Sequence, residues 1–381
     1  TMLKLRTACT TEIDDVALAV DDILAQIGKN GALCKNSVGI FSCYFEFLEN
    51  GFVTALCKRL PFDVIGNTVM GSATNDKAGL EMFSLAVLTS DDVNFSTVFS
   101  SSIDADNVEQ CIADAYGTAR SKLTSAPAFM LALAPTMKNL SGAVILEQLD
   151  LASHGVPTFG SLSNDSVLTM EHARTVWNGE IHSTKLALLL VEGAVTPRFF
   201  ISSISARNIF QYRAKITDAE KCIIKHVNDL TAREYFLSLG LNEDDLHSVP
   251  ILVDYADGTR PIAAHVYGTT EEGYALCGAE TPIGSTLMIG KMDYHGVLST
   301  AEEVLEQALS ETDIHGILMF PCYSRILVLS PRAEDEMEKI RTLVGTIPFW
   351  LSYSGGEMCP VSNKDHTFNR FHNLSYVLCV F

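Results

Sequence analysis

The residues with the clearest chemical potential lie near the C-terminus, in the turn Gly355-Gly356-Glu357 that precedes Pro360. Two adjacent glycines permit a tight turn and the close approach of a ligand. Glu357 would therefore project one carboxylate from a rigid support, which suits an amine or a guanidinium. The alternative is a structural turn whose carboxylate accepts hydrogen bonds from nearby backbone N–H groups.

Cys322 and Arg325 form a second candidate pair, because they follow the predicted strand Ile314–Phe320. The carboxyl end of a strand that opens into a helix is a favoured ligand position in α/β sheets. Arg325 could hold a carboxylate through two parallel hydrogen bonds. Alternatively, Cys322 is a buried thiol and Arg325 a structural cap or ion-pair partner.

His372 and Asn373 begin the last predicted strand. The imidazole could bond a ligand, act as a base or ligate haem iron; the alternative is a core histidine satisfied by Glu357 or by backbone. Cys322, His372 and Glu357 could also serve an enzyme as nucleophile, base and orienting group. Because the sequence has no G-x-S-x-G, phosphate-loop, dinucleotide or metal-ligand pattern, we do not expect an enzyme.

Two small polar turns in the first half are further candidates. Asn67, Thr68 and Gly71 follow a predicted buried strand, and Asn164 precedes Asp165 in another turn. Both turns could line a cleft between the halves of the chain, although turn chemistry alone explains these residue types equally well.

We expect the C-terminal candidates to meet in one cavity, where Glu357, His372 and Asn373 would face Cys322 and Arg325. A carboxylate, a guanidinium and an amide on rigid turns match a zwitterionic ligand such as an amino acid.

The elements that would position these residues alternate between helix and strand up to about residue 155, and a strand-rich stretch follows. Asn178-Gly179 is typical of a hairpin turn. Near residue 206 this strand-rich stretch ends and a new series of strands and helices begins. We therefore predict an α/β, or mixed α+β, fold with two subdomains, residues 1–206 and 207–381. Apolar runs such as Leu186–Val191 predict mixed sheets covered by helices on their outer faces.

Composition limits the environment and the partners of the chain. Of its 381 residues 47% are apolar and 19% charged, which excludes a disordered protein, and the net charge of −19 disfavours nucleic acid. No apolar run reaches the length of a membrane helix, so we expect no membrane insertion. The ten cysteines show no zinc-type spacing and indicate reduced thiols, and with no signal peptide in view we expect a cytoplasmic protein.

Residues 349–360, Phe-Trp-Leu-Ser-Tyr-Ser-Gly-Gly-Glu-Met-Cys-Pro, and Phe371-His372-Asn373 after them resemble the end of the FIST C domain. That domain closes with a G-E-hydrophobic-x-P turn, an F-H-N sequence and a final strand. The segment Phe320–Arg325 is similar to its C-x-x-R segment. The resemblance places Tyr353 and Gly356 beside Glu357 among the ligand-binding candidates.

The first half resembles the FIST N domain. Residues 64–71, Val-Ile-Gly-Asn-Thr-Val-Met-Gly, are similar to its G-x-S/T-x-x-G turn, and residues 160–165 and Asn178-Gly179-Glu180 fit the middle of that domain. One departure is Ser72, at a position where the family often has an acidic residue.

The resemblance implies a bacterial-type sensory input domain for small molecules, proposed to include amino acids, with a kinase, cyclase or chemotaxis protein as its output partner. Some bacterial members are similar to haem-binding nitric-oxide sensors, so the resemblance also implies a haem gas sensor as an alternative. A protein–protein interaction module and a Cys-dependent enzyme are further alternatives.

Overall fold

One order of elements occurs three times along the chain in the computed structural model, which describes residues 3–29, 31–166, 169–247 and 249–381. Each repeat runs strand, helix, strand, one or two helices, strand, two-stranded hairpin, strand. The first repeat contains β1 (Lys4–Thr10), α1 (Val16–Gly28), β2 (Asn36–Cys43), α2 (Glu46–Glu49), α3 (Phe52–Cys57), β3 (Val64–Thr68), β4 (Ser72–Thr74), β5 (Ala78–Gly79) and β6 (Phe83–Ser90). The second contains β7 (Asn94–Phe99), α4 (Val108–Arg120), β8 (Phe129–Ala134), α5 (Gly142–Ser153), β9 (Thr158–Leu162), β10 (Thr175–Trp177), β11 (Glu180–His182) and β12 (Ala187–Glu192).

The third repeat begins with β13 (Arg198–Ser202) and is then interrupted by an inserted segment. This segment contains β14 (Ile209–Glu220), β15 (Ile223–Val227), β16 (Leu230–Thr231), α6 (Ala232–Ser238), α7 (Glu243–Leu246), β17 (Pro250–Asp254), β18 (Ile262–Thr269), β19 (Ala275–Cys277) and β20 (Thr286–Gly290). The repeat resumes with α8 (Tyr294–Leu309), β21 (Ile317–Pro321), α9 (Ser324–Leu329), α10 (Asp335–Val344), β22 (Phe349–Ser352), β23 (Glu357–Ser362), β24 (Thr367–His372) and β25 (Tyr376–Val380).

Three six-stranded sheets follow the same strand order. They are β1-β6-β2-β3-β10-β11, β7-β12-β8-β9-β23-β24 and β13-β25-β21-β22-β4-β5. In each sheet the third and fourth strands are parallel and the other neighbours antiparallel. The predicted mixed α+β class with mixed sheets is confirmed.

The hairpin of each repeat belongs to the sheet of another repeat. Hairpin β4–β5 extends the third sheet, β10–β11 the first and β23–β24 the second. The exchange is cyclic, so each repeat donates one hairpin and receives another. The division after residue 206 stays a prediction; strands from both sides of it share the second and third sheets.

The inner faces of the three sheets enclose a central apolar cluster. It includes Ile65 from the first sheet, Leu131 and Phe159 from the second, and Phe320 and Trp350 from the third. The helices cover the outer faces, with α1–α3 on the first sheet, α4 and α5 on the second, and α8–α10 on the third. Side chains that alternate along each strand therefore enter two different cores.

The inserted segment forms a small antiparallel barrel. Strand β14 pairs with β20 along its first part and with β15 along its last part, which closes the ring β14-β20-β17-β18-β19-β15. Register shifts within β14 provide the bend that this closure needs. Inward side chains such as Ile216, Val253 and Val266 fill the interior.

Local sequence explains where several elements begin and turn. Asp15, Ser141 and Asp293 accept backbone N–H bonds at the starts of α1, α5 and α8. Asn178 and Gly179 both have positive φ, 50° and 85°, and form the turn between β10 and β11 as predicted. Within the described part of the chain, no helix combines the length and apolarity needed to cross a membrane.

Candidate functional site

Six inward-facing side chains lie where β3, β9 and β22 end. We call them the polar ring: Asn67, Ser161 and Ser352 on these three strands, and their cross-strand partners Thr175, Glu357 and Ser72 on the exchanged hairpins. Each of the first three lies two residues after a member of the central cluster and so shares its face. All six are fully buried. Three polar pairs therefore end a core that is otherwise apolar.

The turns that follow these strands are hydrogen-bonded to one another and bring the three pairs to one end of the core. Asn164 links all three turns, because its Oδ1 accepts from the Met70 N–H at 2.7 Å and its Nδ2 donates to the Tyr353 carbonyl at 2.9 Å. The Asn164 N–H also donates to the Thr68 carbonyl, at 3.0 Å. Asn164 thus fixes the geometry of the ring from outside it.

The third turn joins the second directly. The Gly355 N–H donates to the Leu162 carbonyl and the Leu162 N–H to the Gly356 carbonyl, both at 2.9 Å. A Cβ atom on Gly356 would lie 2.5 Å from the Phe371 ring. The glycine is therefore required by packing at this position.

Four ring residues carry polar atoms that lack a hydrogen-bond partner among the described residues. They are Asn67 Oδ1 and Nδ2, Ser72 Oγ, Ser352 Oγ and Glu357 Oε1. The other two hydroxyls are satisfied locally, Ser161 at the Leu162 carbonyl and Thr175 at the Lys185 carbonyl. An unpaired buried polar group costs about 1–3 kcal/mol. Four such residues from three sheets make this end of the core the candidate site of the chain.

Glu357 alone is ionisable among the six ring residues. Its Oε2 accepts from the Ser375 N–H at 3.2 Å. Burial raises the pKa of this carboxyl group well above its usual value, and the hydrogen bond from Ser375 only partly offsets the effect. Cys322 and Ser354 also approach the group, although neither forms a hydrogen bond of normal geometry with Oε1.

Cys322 lies next to Glu357, as the sequence predicted. Its backbone N–H donates to the Ser375 carbonyl at 2.8 Å, and it forms a parallel bridge with Ser354. Burial, together with the charge of Glu357, raises the pKa of the thiol to about 12. A thiol of this kind stays protonated at neutral pH, which does not favour a nucleophilic role.

His372 faces Glu357 across the β23–β24 ladder, and Asn373 follows it. The His372 Nε2 atom lies 3.0 Å from the Cys359 carbonyl, and burial lowers the pKa of the imidazole to about 4. Asn373 points the other way, since its Oδ1 accepts from the His265 N–H of the inserted barrel at 3.2 Å. Asn373 therefore joins the hairpin to the barrel.

Arg325 and Tyr353 lie in a different cluster, on the outer face of the third sheet. The Arg325 guanidinium donates to Glu336 Oε1 through Nε at 2.8 Å and Nη2 at 2.6 Å, and the Tyr353 hydroxyl donates to Glu336 Oε2 at 2.6 Å. The guanidinium also packs over the Tyr376 ring, 5.2 Å from its centroid. The carboxylate that Arg325 holds is thus supplied by the chain itself, and the structure does not bring Arg325 to Glu357.

The structure joins the first-half candidates to the C-terminal ones. Asn67 belongs to the ring, while the Thr68 hydroxyl accepts from the Arg174 N–H at 2.8 Å and so fixes the adjoining loop. Ser72, Ser161, Thr175 and Ser352 were not found from the sequence. A polar residue at an inward position near the end of an apolar strand was the available signal.

His372 does not fit haem, the cofactor that the resemblance offered as an alternative. Its ring is fully buried within the hairpin, and Nε2 is engaged with the Cys359 carbonyl. An axial bond would require the hairpin to open, and the polar ring beside it differs from the apolar slot of a porphyrin.

Comparisons with known proteins give a family but no characterised relative in sequence. A family model described as the FIST N domain matches residues 37–230, and one described as the FIST C domain matches residues 220–360. No curated protein sequence matches the chain.

Among solved structures, the chain is similar over its whole length to a cyanuric acid hydrolase, of which it covers 100% (9% identity, TM-score 0.37). It is also similar to the cyanuric acid hydrolase from A. caulinodans, of which it covers 99% (10%, 0.33), and to a chorismatase, of which it covers 98% (10%, 0.33). At these TM-scores the likenesses carry no argument about activity.

Proposed function

Because this chain belongs to the FIST family, whose members are sensory domains thought to bind small ligands, we propose that its polar ring binds a small molecule with a primary amine, such as an amino acid. In this proposal the protein acts as the input of a cytoplasmic signalling system with a kinase, cyclase or chemotaxis protein as its output. Ten free cysteines are in keeping with a reducing compartment.

The observation that carries the proposal is the buried carboxyl group of Glu357. One of its oxygens lacks a partner, and among the described residues no cation lies within ion-pair distance of it. A carboxylate without a counter-ion is costly to bury. A ligand ammonium group would supply both the missing charge and the missing hydrogen bond.

The remaining unpaired ring atoms suit the other end of an amino acid. The Asn67 amide and the hydroxyls of Ser72 and Ser352 offer donors for a ligand carboxylate. Arg325, which the sequence offered for this role, is occupied by Glu336. The proposed site therefore differs from the expected one in its anion-binding half.

The raised pKa of Glu357 makes a prediction about affinity. A protonated Glu357 must lose its proton before it can pair with an ammonium group. Affinity for amines should therefore rise with pH up to the pKa of Glu357 in the free protein, by as much as about tenfold per pH unit.

The experiment is calorimetry and thermal shift with a panel of amino acids, each beside its deaminated carboxylic acid, at pH 6 and pH 8. The expected result is heat and stabilisation from at least one amino acid, stronger at pH 8, and none from its deaminated analogue. Glu357→Gln should abolish binding, whereas Glu306→Gln, which removes an exposed carboxylate from α8, should not.

Equal binding of an amino acid and its deaminated analogue would contradict the role of Glu357. Unchanged affinity in Glu357→Gln would show that the ligand binds outside the polar ring. An absence of binding across the whole panel would exclude an amino acid as the ligand.

A further inference from the structure

Strand β13 has one backbone edge that pairs with no other strand of the described residues. It is the terminal strand of the third sheet, and its single strand neighbour in that sheet is β25. Gly316 and Phe381 exchange backbone hydrogen bonds at the start of the β21–β25 ladder. Because hydrogen-bonding residues alternate along an antiparallel strand, Arg198, Phe200 and Ser202 bond to β25. The N–H and C=O groups of Phe199 and Ile201 therefore point away from the sheet.

A groove of about 730 Å³ runs along this edge. Its apolar walls come from Val195 and Pro157 on one side and from Pro360 and Val361 of β23 on another. A groove of this size accommodates several residues of an extended chain, and its wall includes the free edge of β13.

Repeat symmetry places the groove beside the third of three equivalent seams between sheets. The first strand of each exchanged hairpin is β4, β10 or β23. Its third residue lies beside the edge strand of an adjacent sheet, which is β1, β7 or β13 respectively. Trp177 fills this place against β7, where its Nε1 donates to Thr97 Oγ1 at 2.9 Å, and the Thr74 hydroxyl bonds Cys9 of β1 at 3.4 Å. The counterpart beside β13 is Cys359, which is small and fully buried. The groove lies beyond this residue, along Pro360 and Val361.

The charged side chains that line the groove are two arginines and one carboxylate, Arg198, Arg260 and Glu311, in a strongly acidic protein. Arg198 is paired with Glu311 at 2.9 Å. Arg260 is exposed and donates to the Ile201 carbonyl, and no carboxylate of the described chain lies within ion-pair distance of it. Within the described ranges, the groove thus offers one cation without an ion-pair partner beside the N–H and C=O groups of Phe199, which point away from β25.

We propose that this groove binds an extended peptide segment of a partner protein as an additional strand on β13, with an acidic side chain of the peptide paired to Arg260. Backbone bonds to Phe199 would give affinity, and the apolar walls and Arg260 would select the side chains. Arg260 occupies the Ile201 carbonyl and sets the end of the added strand.

The groove is also connected to the polar ring. Strand β23 carries Glu357 at its first position and Pro360 in the groove wall three residues later, a distance of roughly 10 Å along the strand. A partner bound here would contact the same strand as the ring ligand. The peptide site is argued from the groove alone and does not depend on the identity of that ligand.

Fluorescence anisotropy with three labelled heptapeptides tests the proposal. The first is Thr-Val-Thr-Glu-Thr-Val-Thr, the second replaces its Glu by Lys, and the third carries N-methyl groups on alternate amides of the first. The proposal expects the first peptide to bind at least tenfold more tightly than either of the others, because the second loses the ion pair and the third loses backbone donors.

Two variants locate the binding. Ser362→Trp places an indole at an exposed residue of the groove and should weaken the first peptide at least tenfold, whereas Lys364→Trp, in the exposed turn beyond the groove, should not. Arg260→Gln should reduce the preference for Glu over Lys.

Three outcomes would overturn the proposal. They are equal binding of all three peptides, no binding up to 1 mM, and affinity that is insensitive to Ser362→Trp. Sedimentation velocity tests whether a second copy of the chain occupies the groove. A dimer of the full chain that Ser362→Trp dissociates would assign the groove to that second copy instead of a peptide.

Discussion

Glu357 and His372 face each other across one ladder, and burial drives both towards their neutral forms. The pKa of the carboxyl group is raised, whereas that of the imidazole is lowered to about 4. For His372 the unfolded chain binds the proton more readily, so stability falls as the pH drops from about 6.5 to about 4. For Glu357 the folded chain binds it more readily, so stability falls as the pH rises above about 4.5.

Between about pH 4.5 and pH 6.5 the two residues change the stability in opposite directions as the pH rises. Replacing one of them should therefore reveal the pH dependence that the other produces. In Glu357→Gln the contribution of His372 remains, so the stability of this variant should rise by up to about 3 kcal/mol between pH 4 and pH 6.5, whereas the parental profile should rise less because Glu357 opposes it. In His372→Gln stability should fall with pH across the same range. Urea unfolding at half-unit pH steps measures both.

His295→Gln, which changes an exposed histidine of α8, is the control and should leave the parental profile intact. If Glu357→Gln and the parent had parallel profiles from pH 4 to pH 8, Glu357 would not be the buried proton-binding group that its contacts indicate.

The Arg325–Glu336 pair supports a second prediction at this scale. Both side chains are fully buried, so Glu336→Gln would leave the guanidinium without a counter-ion. We expect a loss of about 3–5 kcal/mol in the free energy of unfolding. The double change Arg325→Met with Glu336→Leu should cost less than the single one, because it removes both charges. Chemical unfolding compares the single and double variants, with Glu334→Gln, a change at an exposed residue, as the control. A double variant less stable than the single one would show that the pair stabilises the protein through more than charge balance.

The turns that close the core act as one element, because Asn164 links all three. Asn164→Ala would leave the Met70 N–H and the Tyr353 carbonyl unpaired in the interior. We expect a cost of about 3 kcal/mol, measured by thermal or urea unfolding. Asn164→Asp keeps the acceptor but loses the donor and buries an acid, so it should also be less stable than the parent, and more so as the pH rises. Equal stability of the alanine variant would mean that the turns hold their places without this side chain.

Helices were largely predictable from their periodicity, and their interruptions were not. The apolar spacing over Glu46–Leu60 by itself predicts a single helix, whereas the structure has α2 and α3, separated where Gly51 adopts φ 82°. By contrast, the pattern over Ala232–Leu239, followed by Gly240, predicts a helix that ends within one residue of α6, whose start is fixed by a capping box at Thr231. Local signals of this kind lie within a few residues of the element they define.

Sheet partners were not predictable, because side-chain alternation reports which face is buried and not which strand lies alongside. The hairpin strand β4 has three residues, Ser72–Thr74, too few to show a pattern. Its pairing with β22 joins residues far apart in sequence. This exchange also hid the relation between Ser72 and Glu357, which occupy the same place in two repeats. The acidic residue that the family often has at Ser72 would therefore stand at a second ring position.

The candidate site was partly predictable for the same reason. The contact between Cys322 and Glu357 followed from segments that resemble one domain, while the separation of Arg325 depended on Glu336, a residue without a distinctive context in the sequence. The three polar turns were noted separately in the sequence. Only the threefold arrangement of the sheets brings them together.

At the scale of the whole molecule, the exchanged hairpins predict that neither half of the chain folds alone. Residues 1–206 include β13 without its neighbour β25, β4–β5 without β22, and β9 without β23. The central cluster would also lose the inner face of the third sheet, including Phe320 and Trp350. Expressed separately, fragments 1–206 and 207–381 should be aggregated or unfolded by size exclusion and circular dichroism. Expressed together, they should form one complex that unfolds in a single transition near that of the intact chain. A monomeric 1–206 fragment with its own cooperative transition would show that the first two sheets need no strands from the second half, and the exchange would then be an addition to two self-sufficient domains.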